Sequence, residues 1–322
     1  MAVYTKLTES NLKEFFQKYN LGNILNYKGI QEGIENTNYS IKTDKGKYIL
    51  TVYEKRVEQK DLPFFMSLMK NLFDANFPSP EPIINRNGNY ITEISGKKAA
   101  VVSFLNGVAK KNLSPEDCQA VGIQAAKLHE ITKNLNGKRE NKLSINSWRK
   151  IYENVKKDCS KIHPDLIETV EKNLNEIEKN WPNKIPSGII HADLFSDNIF
   201  FKENKLTGII DFYFSCNDFY AFEIAICLNA LCFEGKKENL SFNVTKAKKF
   251  IDGYSSIRKL SDEEKKSLKI LCQGAALRFL LTRVFDYLNL TEGALVKIKD
   301  PIEYLKRLEF HDHVKNYQDY FF

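Results

Sequence analysis

The sequence predicts an α+β fold in two lobes, in which a small antiparallel sheet lobe with one helix precedes a larger, mainly helical lobe. Short segments rich in β-branched and aromatic residues, such as KYILTVYE and KKAAVVSF, are concentrated before residue 105. Later segments are longer and carry apolar residues at helical spacing. We therefore place the boundary between residues 1–104 and residues 105–322.

The first lobe alternates strand-like segments with turn signals. YSIKT, KYILTVYE, NYITEI and KKAAVVSF have strand composition, and we interpret TDKGKY and NRNGNY as hairpin turns. Between these turns, Phe65, Leu68, Met69 and Leu72 recur at helical spacing, and the prolines of FPSPEP end that helix. The pattern predicts an antiparallel sheet with one inserted helix.

The second lobe begins with a well-marked helix in LSPEDCQAVGIQAAKLHEIT. Ser114 is its expected N-cap, Pro115 takes the first helical position, and acidic residues follow in the first turn. Further helices are predicted at about 145–158, 164–180, 219–233, 244–256, 262–290 and 301–309. One strand-like island, from Ile189 to Asp211, interrupts them.

Composition limits the classes of function. With 322 residues, 43% of them hydrophobic, the chain can bury a large core, and its net charge of +7 is spread in a way that does not favour nucleic-acid binding. The N-terminal segment has no apolar signal core, and no apolar run reaches the roughly 18–20 residues of a membrane span. The six cysteines form no C-x-x-C pair. We expect a cytoplasmic protein with reduced thiols, no membrane or nucleic-acid partner, and an oligomeric state that the sequence does not predict.

The strand-like segment from Ile189 to Asp211 contains the residues that suggest an enzymatic function, most of them in IIHADLFSDNIFF. It has the pattern His191-x-Asp193-x-x-x-x-Asn198, and Asp211 follows 13 residues after Asn198. Phosphoryl transfer requires positioning and charge neutralisation. Asp193 suits the orientation and deprotonation of an acceptor hydroxyl, whereas Asn198 and Asp211 offer oxygen ligands for Mg²⁺. His191 is interpreted as a brace of the loop. A purely structural polar turn and a metal-hydrolase site are the alternatives.

This motif resembles the kinase catalytic loop H-R-D-L-x-x-x-N, with Ala192 at the arginine position and Asp211-Phe212 at the D-F of D-F-G. Because A-P-E is absent, the chain more closely resembles the aminoglycoside phosphotransferase/choline kinase family of small-molecule kinases. GIQAAKLHEI and CNDFYAFEIAI are similar to two further segments of that family. The resemblance implies a two-lobed protein-kinase-like fold that uses ATP and Mg²⁺, with Glu223 supporting the catalytic loop.

The same resemblance implies a nucleotide-binding role for residues 1–104. GIQEGIENTNYSIKT is similar to the family's nucleotide loop, although an ordinary hairpin loop is the alternative. The expected contacts to phosphates and adenine are Gly33, Asn36, Thr37 and Asn38, and the backbone around Ser103 and Leu105.

One kinase feature is missing from the third strand. Kinases usually place a lysine there to hold the α/β-phosphates, but the equivalent position falls near Thr51. Lys55 or Arg56 could replace that lysine, with Glu58 or Asp61 as the acidic partner, and a solvated run of charges is the alternative. A second class of function, an ATP-binding scaffold with little turnover, therefore stays open.

One branch of the family phosphorylates the side-chain hydroxyl of L-homoserine, a step toward threonine, and the chain resembles that branch from end to end. The segments YKGIQEGIENTNY, HADLFSDNIFF, ALRFLLTRVFDY and GALVKIKDP carry this match. A zwitterionic acceptor requires a cation and a carboxylate, which suggests Arg278, Arg283 and Asp286 as substrate-binding residues. Salt bridges within the protein are the alternative for these three, and aminoglycosides, choline and methylthioribose are the alternative acceptors.

Overall fold

The computed structural model describes residues 5–30, 36–54, 57–235, 239–289 and 299–321. The chain divides into two compact units. The first extends to Gly107 and takes up Thr207–Tyr213 again, whereas the second contains Val108–Leu206 and most of the chain from Phe214 onward. The boundary predicted after residue 104 assigned Thr207–Tyr213 to the second lobe. The functional labels given to 1–104 and 105–322 stay predictions.

In its described residues, the first unit is an antiparallel sheet with two α-helices. Its elements are α1 (Glu9–Gln17), β1 (Ile24–Ile30), β2 (Thr37–Thr43), β3 (Lys47–Val52), α2 (Leu62–Asp74), β4 (Pro82–Ile83), β5 (Ile91–Ile94) and β6 (Lys97–Ser103). The strand order is β1-β2-β3-β6-β4, with β5 also paired to β6. Buried residues of α1, among them Leu12 and Phe15, join Ile41, Leu50 and Val101 of the sheet in one core cluster.

Two local expectations for this unit were wrong. We interpreted NRNGNY as a hairpin turn, but the strands that flank it, β4 and β5, both pair with β6. The tight turn at this edge is Ser95-Gly96, between β5 and β6, where both residues have positive φ. Helix α1 was not expected at all. Thr8 caps it by accepting from the Asn11 backbone N–H, a signal that is visible in LTESN.

The second unit is mainly helical, as the sequence predicted. Its helices are α3 (Pro115–Thr132), α4 (Ile145–Val155), α5 (Leu166–Asn180), α6 (Tyr220–Leu231), α7 (Val244–Ser255), α8 (Asp262–Leu288) and α9 (Ile302–His313). Its strands are β7 (Val108–Ala109), β8 (Ser187–Ile190), β9 (Ile199–Lys202), β11 (Cys216–Phe219), β12 (Phe233–Glu234) and β13 (Ser241–Phe242), while β10 (Lys205–Ile209) spans the division between the units. The α+β class is confirmed.

Helices α6 and α8 form the centre of the second unit. Apart from Glu223 and Asn229, α6 carries mainly apolar side chains on all sides, and it is buried from Tyr220 to Asn229. A helix that is apolar all round is typical of a core position. Helix α8 packs along α6, and α9 packs on α8. Because β8 and β11 pair beside the start of α6, this core supports the loop that follows β8.

Helices α3 and α7 approach each other closely through glycine. A Cβ atom at Gly122 of α3 would lie 2.1 Å from the backbone oxygen of Phe250, and one at Gly253 of α7 would lie 2.2 Å from that of Gln119. Separations of this size cannot exist, and backbone atoms cannot rotate away as a side chain can. The two helices therefore touch backbone to backbone.

We predict that Gly122→Ala lowers the free energy of unfolding by about 1–3 kcal/mol, the range for overpacked cores. Alanine gains about 1 kcal/mol of helix propensity over glycine, but the clash outweighs this gain. Urea denaturation of the variant measures the effect, with Lys127→Ala on the exposed face of α3 as the control. A Gly122→Ala protein as stable as the wild type would contradict the close packing.

Candidate active site

The loop after β8 makes a sharp turn at Ala192. This residue has a φ of 64°, in the left-handed region that residues with a Cβ seldom adopt. The turn directs Asp193 away from the path of β8, and the short helical turn Ser196–Asn198 then leads into β9. A strained residue next to a candidate catalytic group fits the tendency of functional loops to hold unfavourable backbone angles.

Asp193 and Asn198 are in direct contact. The side-chain amide of Asn198 donates to the Asp193 backbone oxygen at 2.9 Å and to its carboxylate oxygen Oδ2 at 3.1 Å. An amide in this orientation presents its oxygen to other partners. Burial raises the pKa of Asp193 to about 6, although the positive charges of Arg278 and Lys299 oppose the shift. Asp193 is therefore a stronger base than a surface aspartate.

Glu223, on the first turn of α6, fixes the backbone of the loop that follows β8. Its carboxylate oxygen Oε2 accepts from the backbone N–H of His191 and, at 3.0 Å, from that of Ala192. The residue is fully buried, and this burial raises the pKa of its carboxyl to about 7. The other oxygen, Oε1, has no hydrogen-bond partner. These bonds support the role expected for Glu223, which stays a prediction.

His191 also holds the turn. Its ring nitrogen Nδ1 accepts from the backbone N–H of Asp193 at 3.2 Å, and the side chain is fully buried. A ring in this position restrains the backbone on which Asp193 is mounted. This contact supports the interpretation of His191 as a brace, which stays a prediction.

Arg278 of α8 completes the fixation of the turn from the opposite side. Its Nη1 donates to the Ala192 backbone oxygen at 2.7 Å, and the side chain is only 2% exposed. The residue was expected to bind an acceptor carboxylate, and that role stays a prediction. The observed contact restrains the turn. Glu223 binds the N–H groups of the turn, whereas Arg278 binds its carbonyl oxygen.

Arg283 and Asp286 lie further along α8. Nη1 of Arg283 donates to the Asp300 backbone oxygen at 2.9 Å and to the Glu303 carboxylate at 3.0 Å. Asp286 is partly exposed. Arg283 thus has an intra-protein salt bridge, the alternative role that the sequence leaves open, and acceptor binding by either residue stays a prediction.

Asp211 belongs to the first unit and follows β10 with a φ of 65°. The next residues turn, so that Tyr213 accepts a hydrogen bond from the Tyr53 hydroxyl at 3.2 Å and packs edge-on against Phe65. Tyr213 occupies the position of the glycine in D-F-G. The aromatic contacts explain this departure, because the ring fills space within the first unit.

The predicted phosphate-binding side chains are engaged within the sheet. Thr37 donates to the Glu54 carboxylate at 2.8 Å, and Asn38 accepts from the Thr51 hydroxyl at 2.8 Å. Asn36 accepts from the Glu54 backbone N–H at 3.3 Å. These bonds order the strands that flank the loop. Gly33 lies outside the described residues.

The predicted adenine contacts lie at the end of β6. Ser103 pairs with Glu81 through its backbone N–H and its hydroxyl, each at 2.8 Å, while Leu105 is partly buried just beyond the strand. Nucleotide binding by Ser103, Leu105, Asn36, Thr37 and Asn38 stays a prediction.

An ion pair that the sequence did not predict lies near the end of β3, the strand on which kinases usually carry a lysine. Lys97 of β6 pairs with Glu54, just after β3, and Glu54 also accepts from the Thr5 hydroxyl at 2.6 Å. The candidates Lys55 and Arg56 lie outside the described residues. Lys97 and Glu54 are distant in sequence and become neighbours only through strand pairing, so local spacing gave no signal for them.

The fold and the loop define the class of this protein. A profile described as the phosphotransferase enzyme family matches residues 26–258, so the chain belongs to that family and the predicted resemblance is confirmed. Homoserine kinases of Beijerinckia indica and Xanthobacter autotrophicus are each 46% identical to it. The alignments cover 98% and 99% of this chain and 97% and 99% of theirs.

Solved structures of antibiotic kinases share the fold. An amicoumacin kinase in complex with AMP-PNP, Ca²⁺ and its antibiotic has a TM-score of 0.70 at 16% identity, over 97% of this chain and 95% of its own. A spectinomycin phosphotransferase has a TM-score of 0.68 at 14% identity, over 98% of both chains. The kinase-like fold that we expected is confirmed. In the described part of the chain, no helix is both long and apolar enough to cross a bilayer.

We predict that Glu223→Gln flattens the dependence of stability on pH. A carboxyl whose pKa is higher in the folded protein than in the unfolded chain binds its proton more tightly when folded. Its contribution to stability is therefore complete below pH 4.5 and disappears as the pH rises through about 7. At 1.36 kcal/mol per pKa unit, the wild type should lose up to about 3 kcal/mol more than the variant over this range.

Urea denaturation of both proteins at several values between pH 5 and pH 8 measures this difference. Glu178→Gln is the control, because that carboxylate lies on the surface and its pKa is lowered by Arg149. Parallel pH profiles for the wild type and Glu223→Gln would contradict the buried, proton-binding carboxyl.

Proposed function

We propose that this protein is an ATP-dependent homoserine kinase, which transfers the γ-phosphate of ATP to the side-chain hydroxyl of L-homoserine and forms O-phospho-L-homoserine. The observation that carries the proposal is the fixed Asp193–Asn198 pair on a loop bound by Glu223 and Arg278. The 46% identity with homoserine kinases, which extends over nearly the full chain, supports the choice of acceptor.

Asp193 acts on the acceptor. Its carboxylate accepts a hydrogen bond from the homoserine hydroxyl, orients that oxygen toward the γ-phosphorus, and takes its proton as the new P–O bond forms. With a pKa near 6, the group is mostly ionised at neutral pH and is still more basic than a surface aspartate. The contact with Asn198 holds the carboxylate in one orientation.

Asn198 and Asp211 are the proposed oxygen ligands of Mg²⁺. The Asn198 amide donates to Asp193, and this orientation leaves its carbonyl oxygen for a hard cation. Asp211 offers a carboxylate at a backbone position with a positive φ. When bound, ATP would supply the phosphoryl group, with the bond to its β-phosphate oxygen breaking and ADP leaving, and Mg²⁺ would neutralise charge on the phosphates. Asn36, Thr37, Asn38, Ser103 and Leu105 are proposed to contact the nucleotide.

We predict that Asp193→Asn lowers kcat for homoserine phosphorylation by about 10²–10⁴-fold, the usual contribution of a positioned proton acceptor. The variant keeps the shape of the side chain but cannot take the proton. Coupled ADP-release assays at saturating ATP and homoserine measure the loss. Asp197→Asn is the control, because Asp197 lies on the same loop and its exposed carboxylate pairs with Lys299. Near-wild-type turnover of Asp193→Asn would refute the assignment.

The acceptor is tested with the same assay on a panel of homoserine, choline, aminoglycosides and methylthioribose. We expect homoserine to have the highest kcat/KM. A higher kcat/KM for another compound of the panel would show that the protein is a small-molecule kinase with that acceptor. ATP binding without phosphoryl transfer to any of these compounds would favour the ATP-binding scaffold.

A further inference from the structure

A lysine from the segment before α9 lies beside the loop that carries Asp193. Nζ of Lys299 is 3.4 Å from the Asp197 carboxylate and 5.0 Å from the ring centre of Phe195. Both partners belong to the loop between β8 and β9. The segment GALVKIKDP, which contains Lys299, carries part of the resemblance to kinases that act on homoserine, yet none of its residues takes part in the proposed transfer. The position of Lys299 next to the loop suggests a role for it.

Contacts from α8 hold the chain on which Lys299 is mounted. Arg283 donates to the backbone oxygen of Asp300, the next residue, at 2.9 Å and to the Glu303 carboxylate at 3.0 Å. The Asp300 carboxylate accepts from the Ile302 backbone N–H at 2.9 Å, which orders the start of α9. Arg283 therefore positions the segment from which Lys299 extends to the loop.

The charge of Lys299 acts on Asp193. It is one of two positive charges, with that of Arg278, that lower the pKa of Asp193 against the effect of burial. Asp197, the partner of Lys299, is followed directly by Asn198, whose amide donates to the Asp193 carboxylate at 3.1 Å. A group bound at Lys299 therefore lies close to the carboxylate that is proposed to take the hydroxyl proton.

Lys299 is accessible and only weakly engaged. Its side chain is 47% exposed, and that of its partner Asp197 is 63% exposed. Exposed ion pairs contribute little to stability, so an anion from solution can replace Asp197 at small cost. Arg278 and Arg283, by contrast, are buried and donate to groups of the protein itself. Among these three cations, Lys299 is the one that a dissolved carboxylate reaches without rearrangement of the core.

We propose that Lys299 binds the α-carboxylate of the acceptor amino acid. The inference rests on the proposed function and assigns recognition of the carboxylate to the segment before α9. An ammonium group and a carboxylate form a charge-assisted hydrogen bond. An extended homoserine molecule spans about 6 Å from its hydroxyl oxygen to a carboxylate oxygen. One small amino acid can therefore present its hydroxyl to Asp193 and its carboxylate to Lys299.

The test compares L-homoserine with 3-aminopropan-1-ol, which has the same hydroxyl and amine but no carboxylate. We expect the wild type to prefer homoserine. In Lys299→Met, the ratio of the two kcat/KM values should fall by about 10-fold, the lower end of the range for a hydrogen bond to a charged group, because the site is half exposed. The loss should appear in the KM for homoserine, since a carboxylate remote from the reacting oxygen is bound alike in the ground state and the transition state.

Two further variants distinguish recognition of a carboxylate from the ion pair with the loop. Asp197→Asn breaks the same pair but keeps the cation, so its ratio should not fall below that of the wild type. Lys299→Arg keeps a positive charge and should retain most of the preference. If Asp197→Asn loses the preference as Lys299→Met does, or if Lys299→Arg loses it equally, the inference is overturned.

The outcomes also separate this inference from the proposed function. A wild type that does not phosphorylate homoserine overturns both. A wild type that prefers homoserine, combined with a Lys299→Met variant of unchanged ratio, overturns the inference alone. Equal use of both alcohols by the wild type has the same consequence, because the carboxylate is then not recognised. A Lys299→Met variant with a lower kcat and an unchanged KM for homoserine would also overturn it, because Lys299 would then act on the transfer step.

Discussion

The loop that carries Asp193 depends on one unfavourable backbone turn, at Ala192, and on the two buried side chains that hold this turn. Glu223 accepts from the N–H groups on one side of the turn, and Arg278 donates to the carbonyl on the other. Neither charged group would be tolerated in the core alone. Each is compensated by a backbone group that the turn would otherwise leave unpaired. The position of Asp193 follows from this arrangement.

This fixation connects the fold with the chemistry. Glu223 is carried by α6 and Arg278 by α8, the two helices at the centre of the second unit. Their apolar packing places both side chains where water cannot screen them, so their bonds to the loop are strong. The same burial shifts the pKa values of Asp193 and Glu223 upward. Burial of these carboxyl groups therefore lowers the stability of the fold at neutral pH, but it makes the Asp193 carboxylate more basic and holds it rigidly.

Sequence reasoning succeeded where a function imposes local spacing. The interval between Asp193 and Asn198 is set by a single loop, and the lobes follow from hydrophobic periods of strand and helix. It failed where partners come from distant elements. The bond from Arg278 to Ala192 joins two residues 86 positions apart, and the Lys97–Glu54 pair depends on strand pairing.

A weaker signal was nevertheless present. Arg278 stands alone within the apolar run GAALRFLL, and a single charge in such a run indicates a buried group with a specific partner. The NRNGNY turn failed for another reason, because the Asn-Gly pair does indicate a turn but does not determine which strands pair. That choice is made by β6, which accommodates both β4 and β5 along one edge.

The most direct measurement of the central claim is a double-mutant cycle on kcat for homoserine phosphorylation, with Glu223→Gln, Arg278→Met and the double variant. Two groups that fix one turn act as a unit, so their effects should not add. We predict that the double variant is no slower than about the slower single variant. Losses that multiply in the double variant would show that the two residues act independently, and would contradict the account.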